Sequence, residues 1–188
     1  SKKILVFVPF LGLLVYLFLF GTVWGVSDSG LSSAVQYLKT KTANPWITMA
    51  LVAAREPVNV EYLKTRTGKS AMDYEAPILA LAASGIDPTV YPNEDFIARL
   101  ESFFTDGQIG DPGLLNDDIF GILALRSAGK DAFYDIVQAS AAFLKKNQNN
   151  DGSFSYGLGV GGDTNTTAAA IMALRIAGLS ATNEVILK

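Results

Sequence analysis

The adjacent acidic residues Asp117 and Asp118 are the side chains in this sequence whose types and spacing best suit catalysis. A carboxyl group that stays protonated can act as a general acid and deliver a proton to a substrate. The pair also has a structural interpretation, because both residues follow Asn116, a residue type that caps helix N-termini. Acidic side chains in a first helical turn gain about 0.3 to 1 kcal/mol from the helix dipole. We predict that this structural role is the main one.

Acidic residues also stand near the starts of two other predicted helices, at Glu75 and Asp163. Their recurrence is explained better by capping than by separate catalytic roles. If all these helices point their N-termini at one end of a barrel, a set of polar and aromatic side chains would ring its mouth. This candidate ligand site, whose aromatic members are also typical of an ordinary core, consists of Trp46, Tyr74, Glu75, Asp117, Asp118, Phe120, Asp163 and Thr164.

Helical hairpins are the elements that must position these residues. Residues 141–178 show the unit, in which an apolar helix, a turn rich in Asn and Gly, and a second helix ending at Gly178 follow one another. The ending IMALRIAG at residues 171–178 has three relatives upstream, ILALRSAG at 122–129, ILALAASG at 78–85 and TMALVAAR at 48–55. Their predicted N-caps are Asn44, Asp73, Asn116 and the cluster at 163–165.

A partner helix is predicted before each of these four helices, at residues 31–41, 60–65, 95–104 and 131–146. The sequence therefore predicts an all-α chain of tandem helical hairpins. We expect the four related helices to form an inner layer, because small residues such as Ala80, Ala124 and Ala173 allow close approach.

The segment FLKKNQNNDGSF at residues 143–154 matches the QW motif, an aromatic-aliphatic pair, a spaced Gln and Gly-x-aromatic. This motif is similar to squalene cyclase-type repeats, and residues 31–187 resemble the α/α-toroid superfamily. That superfamily includes triterpene cyclases, protein prenyltransferase β subunits, complement thioester domains and transcobalamin-like carriers. The resemblance implies a partial α/α toroid, truncated at its C-terminus.

The resemblance also limits the chemistry. Squalene-hopene-type cyclases carry an Asp-x-Asp-Asp acid motif, and here Leu115 replaces the first Asp. Prenyltransferases bind zinc through Asp, Cys and His, and complement domains need a thioester Cys, but the chain has neither Cys nor His. The loop that begins at Asn147 imitates an EF-hand, yet its twelfth position is Leu158 where calcium needs a bidentate Glu. We expect no metal and no cofactor.

The N-terminal residues 1–26 read as a signal anchor or an uncleaved signal peptide. Lys2 and Lys3 precede an uncharged run at residues 4–26, which is long enough to cross a hydrocarbon core of about 30 Å. The positive-inside rule places residues 27–188, the predicted repeat domain, outside the cytoplasm. The net charge of -3 and the lack of a basic patch argue against a nucleic-acid partner.

These observations predict a membrane-anchored or secreted, extracytoplasmic repeat domain that binds without catalysis. As the transcobalamin-like branch implies, its partner would be a small hydrophobic or corrinoid-like ligand, or another protein. The alternative is a terpene cyclase of the squalene type, or a prenyltransferase-like enzyme, with a degenerate acid motif. A cyclase would need an aromatic-lined apolar cavity and a buried acid with a raised pKa.

Overall fold

The computed structural model describes residues 28–64, 68–91 and 94–187. Over these residues the protein is mostly helical, as the sequence predicts. Its α-helices are α1 (Asp28–Lys39), α2 (Pro45–Ala53), α3 (Met72–Ala83), α4 (Phe96–Glu101), α5 (Leu115–Ser127), α6 (Asp135–Lys146), α7 (Thr164–Ile176) and α8 (Glu184–Leu187). A 3-10 helix (Glu61–Leu63) and two short strands, β1 (Phe104–Thr105) and β2 (Gln108–Ile109), complete the described structure.

The chain divides into two compact units, the first ending at Lys41 and the second beginning at Thr42. The first unit contains α1, after which the Lys41 ammonium lies 4.2 Å from the ring centroid of Tyr37. No helix in the described residues has both the length and the apolar character to cross a membrane. The predicted membrane segment, residues 4–26, lies outside the described residues.

In the second unit, α2, α3, α5 and α7 pack against one another in chain order. We call these four helices the helix row. They carry the four related segments, and each contributes an alanine at the same position of its segment. Three of these alanines, Ala80, Ala124 and Ala173, are completely buried. Helix α4 packs on α3, and α6 packs on α5 and α7, so the hairpins lie side by side.

Every helix of the row ends in the same Schellman motif. In each one the amide of the second residue beyond the C-cap donates to a carbonyl five residues earlier, in the pairs Glu56–Leu51, Ile86–Leu81, Lys130–Leu125 and Leu179–Leu174. The motif needs a left-handed residue just before that donor. Glycine supplies it in three helices, but α2 uses Arg55 at φ 61°. A residue with a Cβ atom pays about 1 to 2 kcal/mol for this conformation, so Arg55 is strained.

We therefore predict that Arg55→Gly raises the free energy of unfolding by about 1 kcal/mol, because glycine adopts the left-handed region without that strain. The measurement is urea denaturation with the unfolding monitored by circular dichroism. Gly129→Ala is the matched control in α5, where an added Cβ would meet no atom within 4 Å. It should lower stability by a similar amount. An Arg55→Gly protein no more stable than wild type would contradict the argument.

Two of the four predicted N-caps are confirmed. Asn44 Oδ1 accepts from the Ile47 amide at 3.0 Å, and Asp163 Oδ1 accepts from the Thr166 amide at 2.8 Å. Asn116 is wrong as an N-cap, because α5 already begins at Leu115 and the Asn116 amide donates instead to the Tyr156 carbonyl. The Tyr156 carbonyl, from the turn of the fourth hairpin, thus accepts from an amide at the start of α5 that a capping side chain would otherwise bind.

Asp73 is also wrong as an N-cap, because α3 begins one residue earlier, at Met72. Its Oδ2 atom accepts instead from the amides of Lys69 and Ser70, at 2.9 Å and 3.1 Å. Asp73 therefore fixes the turn that leads into the helix.

The long turn of the third hairpin contains a β-hairpin that the sequence analysis did not predict. Phe104 pairs with Ile109 and Thr105 with Gln108. The two residues between the strands, Asp106 and Gly107, both have positive φ, at 51° and 83°. An Asp-Gly pair between short apolar segments is a strong signal for such a turn. Two predicted partner helices are shorter than expected in the described residues, since 60–64 hold only a 3-10 helix and 95–104 hold the six-residue α4.

Candidate functional site

Three buried carboxyl groups lie where α3, α5 and β2 meet. Asp118 is completely buried, and its Oδ1 atom accepts from the Ile109 amide at 2.9 Å. Burial raises the pKa of Asp118 from 3.8 to about 7, against the opposing effects of Ser140 and of the Ile109 amide. The charge of Asp117 raises this pKa further. Asp118 thus exchanges its proton near neutral pH.

Asp117 holds the chain segment that follows β2. Its Oδ2 atom accepts from the Asp111 amide at 3.0 Å. Gly110 passes so close that a Cβ atom there would overlap the Asp117 carboxyl group, and its φ of 78° also requires glycine. Burial raises the pKa of Asp117, the Asp111 amide opposes this shift, and the Asp111 charge adds to it.

Glu75 brings a third acid into the cluster from α3, with only 1% of its surface exposed. Burial raises the pKa of Glu75 well above its ordinary range, and the charges of Asp117 and Asp118 raise it further. Both effects favour the neutral form of the Glu75 carboxyl group over the charged one.

Several polar atoms around these acids have no hydrogen-bond partner in the described structure. They are Glu75 Oε1, Gln108 Oε1, Asp117 Oδ1, Asp118 Oδ2 and Ser140 Oγ. Ser140 influences the Asp118 pKa, but its hydroxyl does not reach normal hydrogen-bond geometry. Leaving such atoms unpaired costs about 1 to 3 kcal/mol each. No group of three or more ligand-type side chains in the described part of the chain is arranged to hold a metal ion.

One side of the helix row carries exposed and half-buried apolar side chains. We call it the apolar face. Its largest exposed members are Trp46 at 55%, Met72 at 46% and Met172 at 59%. The face comprises Trp46, Met49, Met72, Ala76, Leu79, Phe120, Leu123, Met172 and Ile176. All three methionines of the chain belong to it.

An aromatic contact spans the apolar face. The rings of Trp46 on α2 and Phe120 on α5 meet edge to face, with centroids 5.6 Å apart. Helix α3 lies between α2 and α5 in the row, and its equivalent residue is Ala76. This small side chain leaves room for the two rings to meet above it.

The structure divides the predicted ligand-site residues into four places. Trp46 and Phe120 lie on the apolar face, whereas Glu75, Asp117 and Asp118 form the buried acid cluster. Tyr74 is 4% exposed and packs in the core edge to face against Phe96 and at a tilt against Phe103, with ring centroids 5.8 and 5.9 Å away.

Asp163 and Thr164 line a separate cleft of roughly 580 Å³ beside α7 and α8. Its walls also include Asp151, whose Oδ1 atom accepts from the Ser153 amide and hydroxyl and so organises the turn. No single mouth therefore contains the whole predicted set.

The chain matches no protein-family model, no curated protein and no solved structure.

Sequence reasoning missed the three methionines, Leu79, and the polar partners Gln108 and Ser140. The methionines could have been found by aligning the four related segments, because Met49 and Met172 occupy the same position as Leu79 and Leu123. Gln108 and Ser140 gave no comparable signal, since their burial depends on the β-hairpin folding back onto α5 and α6.

The Asp118 pKa predicts how stability depends on pH. Folded Asp118 keeps its proton up to about pH 7, whereas the unfolded chain loses it near pH 4. The stabilisation that the folded protein gains from protonated Asp118 is therefore fully present below about pH 4 and is lost as the pH rises to about 7. A single such group changes the free energy of unfolding by at most about 1.4 kcal/mol per pH unit. Asp118→Asn keeps an oxygen for the Ile109 amide but cannot titrate, so we expect a shallower decline between pH 5 and 7.

The control for this prediction is Asp163→Asn. Asp163 is an exposed N-cap whose pKa is lowered by hydrogen bonds from the Thr166 amide and hydroxyl. Its titration therefore changes the free energy of unfolding only below about pH 4. Between pH 5 and 7 it should leave the slope unchanged. Melting temperatures of the three proteins across this range make the comparison. Parallel curves for wild type and Asp118→Asn would show that Asp118 is charged in the folded protein.

Proposed function

We propose that the protein is a membrane-tethered, extracytoplasmic repeat domain of the α/α-toroid type, and that its apolar face binds an apolar ligand without catalysis. One observation carries the ligand-binding part, namely the exposed and half-buried apolar side chains that four neighbouring helices present on the apolar face. Isolated exposed apolar residues are ordinary, but contiguous patches are typical of binding surfaces. Methionine and aromatic side chains suit such a role, because they are polarizable or offer large contact areas.

The toroid part rests on the resemblance and on the regular packing of the hairpins. The related helices contact one another in chain order, and the partner helices α4 and α6 pack along the row. The contact between Trp46 and Phe120 across α3 favours a row that is concave on the apolar face. Such a surface would wrap around a ligand.

The enzyme alternative is supported by one feature, the protonatable Asp118. Its position argues against a proton-donating role, however. Asp118 lies two residues before Phe120, which places the two side chains on opposite sides of α5. The Asp118 carboxyl group faces β2, where it binds the Ile109 amide, and it is completely buried. An acid used for catalysis must reach its substrate, whereas this one supports a turn.

The ligand-binding proposal is tested with radiolabelled squalene as an apolar probe and the full-length protein in detergent. Trp46→Ala removes a large exposed aromatic surface, and we expect about a tenfold loss of squalene affinity. Phe133→Ala is the matched control, because Phe133 is 81% exposed but lies outside the apolar face. Equal losses in both variants, or no binding by wild type, would refute the proposal.

The same incubation separates binding from catalysis. Gas chromatography of the recovered lipid should show unchanged squalene with the wild-type protein. A cyclised product that disappears in the double variant Asp117→Asn/Asp118→Asn would establish the enzyme alternative, because loss of a general acid commonly removes a hundredfold or more of the rate.

The proposed topology has its own test, protease shaving of intact cells. Lys2 and Lys3 before the apolar run should remain in the cytoplasm, so the hairpins should be digested from outside. A known surface protein serves as the digestion control. Hairpins that stay intact while this protein is cleaved would place them in the cytoplasm.

A further inference from the structure

The five unpartnered oxygen atoms around the buried acid cluster include almost no hydrogen-bond donor. Three belong to the carboxyl groups of Glu75, Asp117 and Asp118, and the other two are Gln108 Oε1 and Ser140 Oγ. When all three acids are ionised, the Ser140 hydroxyl is the one of these five atoms that carries a proton. Each proton bound by an acid changes an acceptor into a donor. The chemistry of the cluster therefore favours a protonated state.

The charges that act on the cluster have one sign. In the described part of the chain, no cation contributes to the pKa of any of the three acids. An added negative charge is therefore uncompensated, and burial makes its repulsion by the others stronger than it would be in water. The surrounding elements contribute acidic or neutral groups, namely Glu75 from α3, Asp117 and Asp118 from α5, Asp111 from the segment after β2, Gln108 from β2 and Ser140 from α6.

Two of the same acids attach the β-hairpin to α5. The Ile109 amide donates to Asp118 at 2.9 Å, and the Asp111 amide donates to Asp117 at 3.0 Å. The Ile109 side chain is completely buried and lies against Gly121, where a Cβ atom would come within 2.5 Å of it. The attachment to α5 thus consists of one apolar side chain and two carboxyl groups.

The β-hairpin has its own internal hydrogen bonds. Its two strands pair with each other, and across its base the Gly110 amide donates to the Phe103 carbonyl at 3.1 Å. None of these bonds involves the acids. Loss of the two contacts with the acids therefore leaves the β-hairpin intact as a unit that can move.

We propose that the buried acid cluster holds the β-hairpin against α5 only while the cluster is protonated, and that loss of its protons releases the β-hairpin while the helix row stays folded. Ionised carboxyl groups favour contact with water, which movement of the β-hairpin admits. The row is retained because its contacts at Ala80, Ala124 and Ala173 are apolar and do not titrate. One surface turn thus changes its position between acidic and neutral surroundings.

The direction of the pH effect follows from the protons bound in each state. Asp118 has a pKa of about 7 in the closed state, whereas a carboxyl group in contact with water has a pKa near 4. The released state therefore binds fewer protons between these values. Release becomes easier as the pH rises from about 4 to about 7, and Asp118 itself adds no further change above that range.

Hydrogen exchange measured by NMR tests the inference with the full chain in detergent. The amides of Ile109 and Asp111 report release, because the acids accept from both. Their exchange rates are divided into the rates for an unstructured peptide, which removes the direct effect of pH on exchange. From pH 5 to pH 7 we expect this protection to fall by up to about a hundredfold, since one titrating group changes an equilibrium by at most about tenfold per pH unit.

Dilute urea distinguishes local release from unfolding of the whole domain. Release exposes little surface, so the protection of the Ile109 amide should not change with urea below the unfolding transition. The Leu125 amide in the middle of the row is the internal reference. Its protection should decrease as urea is added, and at pH 7 it should be at least about a hundredfold better protected than the Ile109 amide.

Three variants identify the group that controls release. Asp118→Asn keeps an acceptor for the Ile109 amide but cannot lose a proton, so most of the pH dependence should disappear. Asp163→Asn removes an exposed carboxyl group on α7 and should behave like wild type. Ser140→Ala removes a hydroxyl that lowers the pKa of Asp118, so it should move the loss of protection to higher pH. This third variant keeps the test decisive if Asp118→Asn does not fold.

Equal protection of the Ile109 amide at pH 5 and pH 7 would overturn the inference, because the cluster would then not control the contact. Parallel losses of protection at Ile109 and Leu125 with urea would also overturn it, since the β-hairpin would detach only when the whole domain unfolds. A pH dependence that is the same in wild type and Asp118→Asn, or an unchanged midpoint in Ser140→Ala, would assign the effect to groups outside the cluster.

Discussion

The close packing of neighbouring helices at Ala80, Ala124 and Ala173 is the contact on which the helix row depends. Ala80, Ala124 and Ala173 have no exposed surface, which allows the helices of the row to meet backbone to backbone. A single hairpin cannot bury both of its apolar sides, so its stability comes largely from its neighbours. A larger side chain at any of these positions would separate two helices and would loosen every contact along their length.

The three buried acids lower the stability that the apolar contacts of the helix row provide. The row gains free energy from apolar burial, yet three carboxyl groups lie beneath the β-hairpin with several unpaired oxygens. Two of them accept hydrogen bonds from the backbone amides of Ile109 and Asp111, so the acids fix the chain segment at and after β2. Proton uptake offsets part of the cost of burial, because neutral carboxyl groups are much easier to remove from water.

The sequence was sufficient for the features that depend on short-range chemistry. The four related helices, their glycine ends, and the caps at Asn44 and Asp163 follow from residue type and spacing. The sequence was insufficient where a residue far away in the chain supplies the hydrogen-bond partner. Asn116 resembles a cap, but the fourth hairpin reaches back through Tyr156 and binds its amide instead. The burial of Asp118 depends likewise on distant contacts, because β2 must fold back onto α5 and α6 before the Ile109 amide can reach the carboxyl group.

The grouping of all three methionines on the apolar face links that surface to the oxidation state of its surroundings. Peroxide converts the thioether of methionine into a polar sulfoxide, most readily where the sulfur is exposed. Met72 and Met172 are about half exposed, so both lie open to this reaction. Their oxidation would place new dipoles in the middle of a surface that is otherwise apolar. The chain has no cysteine to react first, and the loss of apolar character would therefore fall on this one side of the molecule.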